Sequence, residues 1–126
     1  MNKDIASLYE KIAQCTFNSL PKNFSGASLT AKMIARYIEV TGNYVTRENE
    51  VAKSFLPDEK VEPLLEKLRE SMAALQPGKG AWYTATLDLN SEGEFSFKFD
   101  YDNSPDFQYK PSQDKFDEDA KKFPRT

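Results

Sequence analysis

The residues best placed to do chemistry lie in one short stretch, Asp100-Tyr101-Asp102-Asn103-Ser104-Pro105-Asp106. Acidic oxygens at alternate positions open the calcium loop of an EF-hand, so cation binding is the first chemistry to weigh. That loop needs a glycine at its sixth position, where the chain turns sharply, and a bidentate glutamate at its twelfth. Pro105 and Pro111 stand there instead, so the motif fails at both positions. What remains is an acidic strand exit that either meets a basic partner or is simply solvated.

Other chemistries lack their residues. The chain has no histidine, the commonest general base and metal ligand, and its one cysteine, Cys15, can form neither an internal disulfide nor a thiolate zinc site. Cys15 falls on the apolar stripe of a helix with no cation beside it in sequence, as a small core residue does. No nucleophile elbow, zinc-protease helix, paired-cysteine motif or phosphate-binding glycine loop is present, and Gly78-Lys79-Gly80 is too short to be one. Twenty acidic residues in 126 offer carboxylate pairs by chance, so pairing carries no signal. The expectation is a protein that is not an enzyme and needs no metal or cofactor.

Charge is unevenly placed. Residues 82–119 carry ten acidic side chains against three lysines, a net of −7 within a chain of net −3. Such a surface repels phosphate backbones and excludes direct nucleic-acid binding there, but it suits a basic protein. There is no long apolar run and no signal-type leader, so a cytoplasmic protein without a membrane span is expected. The length fits one domain, residues 1–126.

The elements that must position the acidic stretch are legible from periodicity. Ile5, Leu8, Ile12 and Cys15 recur at helical spacing over Asp4–Leu20, with Asn2 or Asp4 as cap and Pro21 as stop. Alternation over Ser25–Val40 predicts a strand, with a turn at Thr41-Gly42-Asn43 and further short strands at Tyr44–Thr46 and Val51–Phe55. From Pro57, the residues Val61, Leu64, Leu65, Leu68, Met72 and Leu75 form a second helical stripe. Pro63 is tolerated there only in the first turn.

Trp82–Pro105 then reads as a hairpin. Tyr83, Ala85, Leu87 and Leu89 lie on one face of its first strand and Phe95, Phe97, Phe99 and Tyr101 on one face of its second, with Gly93 serving a G1-type bulge. Ser112 caps a short terminal helix with Phe116, Ala120 and Phe123 on its buried face. The fold class is therefore α+β: an antiparallel sheet of about four to five strands, an N-terminal and a central helix packed on one face, and a short C-terminal helix.

Five residues are candidate partner contacts: Trp82, Asp88, Asp100, Asp102 and Asp106. Each has a plainer reading. An indole at a strand start is often a core residue, and the aspartates can merely keep one sheet face wet. The plainer alternative for the whole chain is a small acidic cation- or ligand-binding module without enzymatic activity.

The order of Leu8-Tyr9-x-x-Ile12-Ala13, Leu68-Arg69, Trp82 opening a strand, Gly93-x-Phe95, Phe99-Asp100-Tyr101-Asp102 and Phe123-Pro124-Arg125 resembles the YezG-like immunity (antitoxin) family of bacterial polymorphic toxin systems. The resemblance implies a small α+β protein, made beside a secreted or contact-delivered toxin, that binds and neutralises the toxin's catalytic domain in the cytoplasm. Family toxins are often nucleases, whose active sites are basic. The implied partner is thus a basic toxin domain, met by a monomer or weak homodimer, and the family has no catalytic residues to carry over.

Overall fold

The computed structural model describes residues 3–125. Three helices and five strands follow in the order α1 (Lys3–Asn18), β1 (Phe24–Ile34), β2 (Tyr37–Thr46), β3 (Lys53–Phe55), α2 (Val61–Leu75), β4 (Thr84–Asn90), β5 (Phe95–Asp100) and α3 (Gln113–Lys122). The strands form one antiparallel sheet in the order β3-β2-β1-β4-β5. The α+β class, the central hairpin and all three helices are as the sequence indicates. The proposed cap Asn2 lies outside the described residues.

Helices α1 and α2 lie on one face of the sheet because their apolar stripes match that face's alternating residues. Ile5, Leu8 and Ile12 meet Val61, Leu65 and Leu68 over Leu29, Ala31, Met33, Ala85 and Leu87, all buried. Burying each large aliphatic side chain contributes about 1.5–3 kcal/mol. Tyr9 on α1 stacks on Phe97 at 4.7 Å between ring centroids and lies 6.1 Å from Phe99, which ties the helix to β5. Leu75, at the end of the α2 stripe, stays more than half exposed. Pro63 sits in the first turn of α2, where its missing N–H removes no intrahelical bond.

Three expectations are corrected. The long strand over Ser25–Val40 is really two, folded back at Ala35-Arg36, where Ile34 pairs with Tyr37. The turn has no glycine: Ala35 itself takes φ 47. Its N–H donates to Asp119 Oδ1 at 2.7 Å, a tertiary contact that holds a local geometry its own sequence does not announce. Gly42, expected in a turn, instead lies inside β2, and Tyr44–Thr46 continue that strand. A Cβ on Gly42 would lie 2.5 Å from the Phe55 ring, so the glycine is there for packing between β2 and β3. Only Lys53–Phe55 of the Val51–Phe55 run pairs.

The β4–β5 turn matches its expectation. Gly93, at φ 85, donates its N–H to the Asn90 carbonyl, and Asn90 N–H donates to the Glu94 carbonyl, which is the bulged three-residue hairpin.

The other sheet face is polar along its middle and covered at one end. Residues 105–109 cross it as a strap: Lys32 Nζ donates to the Asp106 carbonyl, Tyr37 Oη to the Tyr109 carbonyl, and the Glu39 carboxylate accepts the Gln108 N–H. Phe107 is buried edge-on against Tyr37 at 4.9 Å. Helix α3 then carries the chain to α2 past the β1–β2 turn. Its buried face is Phe116, Asp119 and Phe123, with Ala120 exposed, so the helix is rotated from the all-apolar stripe expected.

Candidate functional site

That rotation buries an ion pair. Arg69 of α2 and Asp119 of α3 are 1% and 2% exposed, and the guanidinium meets the carboxylate with two parallel bonds, Nη1 to Oδ1 and Nη2 to Oδ2. Arg69 Nε donates to the Trp82 carbonyl at 2.6 Å, and its guanidinium carbon lies 5.9 Å from the Trp82 ring and 5.2 Å from that of Phe123. A buried charge is costly unless it is paired and hydrogen-bonded, and here one carboxylate serves the guanidinium and the Ala35 N–H together. Arg125 adds a second clamp, donating to the Ala81 carbonyl and lying 4.1 Å over Tyr83.

Of the five candidate contacts, Trp82 is corrected to a core residue. It is fully buried, 5.7 Å from the Phe99 ring, and its Nε1 has no hydrogen-bond partner among the described residues. Strand alternation placed it on the wet face, but β4 begins only at Thr84, so the alternation does not extend back to it.

The aspartates remain at the surface but are not one cluster. Asp88 is exposed in mid-β4, between Ser28 and Ser96 on the polar face. Asp100 ends β5, four residues beyond Asp88's partner Ser96, or roughly 13 Å along the strand. Its carboxylate accepts the Asn103 side-chain amide and the N–H groups of Asp102 and Asn103. The amide first, and then the two backbone donors, hold its pKa below the usual aspartate value. Its oxygens are therefore occupied in shaping the turn. Asp102 and Asp106 are exposed beyond it.

Among the described residues, no three carboxylate, thiol or imidazole side chains converge on one point. The open side of the protein offers instead a row of acids and a half-exposed ring. Glu10 of α1 lines a helix-side groove with Phe95, which is 38% exposed and not the core residue its alternation suggested, and Asp88 and Glu94 line a second groove on the polar face of the same hairpin. Glu10, Glu94 and Phe95 were not singled out as contacts from sequence. Glu10 is brought to the hairpin only by the packing of α1 on the sheet. The buried pair did leave a signal: Arg69 follows Leu68 within the α2 stripe, and Asp119 stands three residues after Phe116 and four before Phe123.

Several residues that carry the family resemblance are thereby placed together. Arg69, Trp82 and Phe123 surround one buried node, with Arg125 beside it, so that part of the signature maintains the fold. Among the described residues no helix is long and apolar enough to cross a membrane. Comparison with individual curated proteins gives no match. The family model for YezG-like immunity proteins matches residues 5–123, from the first buried residue of α1 to the Phe123 that closes the node. The chain belongs to the family of YezG-like immunity proteins.

Proposed function

We propose that this protein neutralises a cognate toxin, a nuclease, by binding its catalytic domain one to one in the cytoplasm through an acidic surface. The observation that carries the reading is the family match over nearly the whole chain. The acidic surface adds the physical reason. Of the ten acids in residues 82–119, Asp119 is neutralised internally, whereas Asp88, Asp102 and Asp106 are exposed. A nuclease site is basic because it holds phosphates, and a negative inhibitor meets it with complementary potential and fast association. The protein acts as a monomer or weak homodimer and touches no nucleic acid itself.

The test begins with the toxin domain encoded beside this chain. Mixed at equal molar amounts, the protein should abolish that domain's cleavage of nucleic acid and form a stable one-to-one complex. Charge reversal at Asp88, Asp102 and Asp106 together should slow association and flatten its salt dependence. A neighbouring domain that binds tightly but lacks nuclease activity would remove the nuclease assignment, and unchanged association in the triple variant would remove the acidic surface.

A further inference from the structure

Among the described residues the outer strand β5 pairs with a neighbouring strand on one side only. Asn90 N–H donates to the Glu94 carbonyl, and the register then pairs Asp88 with Ser96 and Thr86 with Lys98. In an antiparallel ladder the residues of such pairs turn their N–H and C=O groups toward each other, and the intervening residues turn theirs away. Ser96 and Lys98 therefore bond to β4, while Phe95, Phe97 and Phe99 present three N–H and three C=O groups outward along the open edge.

This edge has a distinct chemical setting. On the helix side, Phe17, Leu89 and Phe95 floor a groove with Glu10 at its rim. On the polar side, a second groove beside the same strand is lined by Asp88, Glu94 and Ser96, and among the described residues neither groove is lined by a lysine or arginine. The strand's one cation, Lys98, stands farther along toward Asp100.

We infer that β5 is the docking edge for an extended segment of the toxin, added as a sixth strand, with apolar side chains seated against Phe95 and basic side chains beside Asp88, Glu94 and Glu10. The inference rests on the toxin-binding reading above and specifies how the partner is held. Main-chain bonds supply affinity in such strand addition, and the alternate side chains supply specificity. A second copy of this chain fits the edge poorly. In the register that overlaps the whole strand, centred on Phe97, self-pairing would set Glu94 of each copy opposite Asp100 of the other, and directly opposed like charges destabilise a ladder.

Residue-resolved amide exchange on the intact chain, free and saturated with the neighbouring toxin domain, tests this. The Phe95, Phe97 and Phe99 amides should exchange quickly in the free chain and slow by about 100-fold or more in the complex, as edge amides gain partners. The already paired Ser96 and Lys98 amides should change much less. Glu10→Lys with Glu94→Lys should slow association about tenfold at low salt with unchanged melting temperature.

A complex that forms with no added protection at the three Phe amides overturns strand addition while the immunity reading stands. Absence of any complex overturns both. Protection that rises with protein concentration without toxin would assign the edge to a second copy and overturn the assignment to toxin.

Discussion

The C-terminal helix α3 and the β5 edge are both acidic, yet Asp119 of the first and Asp88 of the second are used in opposite ways. In the strap and α3, Asp119 is buried against Arg69, and the Asp106 backbone is tied down by Lys32. Along the edge, Asp88 faces solvent, and Glu94 is exposed with one oxygen held by the Asn90 side-chain amide. Net charge in a stretch of sequence therefore does not by itself say which of its carboxylates are free to meet a partner. A carboxylate whose oxygens are filled by internal donors supports the fold, and one left to solvent is available for recognition.

The sharpest way to break this division is Asp119→Ala. It leaves Arg69 charged and buried and also orphans the Ala35 N–H, at a cost of about 3–5 kcal/mol, read as a large fall in denaturation midpoint. Replacing both partners, Arg69→Met with Asp119→Leu, should recover the part of that loss due to the unpaired charge, while the Ala35 N–H and the Trp82 carbonyl stay without their side-chain partners. If Asp119→Ala unfolds at the parent midpoint, α3 is not held by this pair.

A smaller loss is expected at Gly80, next to the same node. Its φ is 81, and an added Cβ would lie 2.6 Å from the Arg125 guanidinium. Gly80→Ala should cost roughly 1–2 kcal/mol, most of it backbone strain, since the arginine side chain can shift.

Asp100 tests the intermediate case, a surface carboxylate occupied by local donors. Its folded pKa is depressed, so its stabilisation is present above the unfolded value of roughly 3.9 and is lost as pH falls through the lower folded value. Asp100→Asn should weaken the acid-side decline in stability and leave neutral-pH stability only slightly lower. A decline of unchanged steepness in an acid titration would show that the turn does not depend on the charge.

At the far end of the scale, Asp88→Lys should move stability by less than about 0.5 kcal/mol, as surface changes do. It should nevertheless slow toxin association. A large stability loss there would erase the distinction between the two regions.

The parts of the fold that were legible in sequence are those determined locally. The stripes of α1 and α2 and the Gly93 bulge all follow from spacing or backbone freedom within a few residues. The β1–β2 turn was not, because the carboxylate that holds Ala35 comes from 84 positions further along. The candidate surface was legible in charge but not in place. Asp88, Asp102 and Asp106 were correctly read as exposed, while the internal use of Asp100 depends on the turn made by Asn103, and the burial of Trp82 depends on where β4 begins.

The buried pair also bears on the order in which the chain can finish folding. Arg69 and the β1–β2 turn leave the ribosome well before Asp119 does, and until then one carries an unmatched charge and the other an unheld bend. During synthesis the sheet and first two helices can therefore collapse only around an open socket, and the last helix closes it. Closure joins residues 50 and 84 positions apart, so fastening the socket should be a late step of refolding as well.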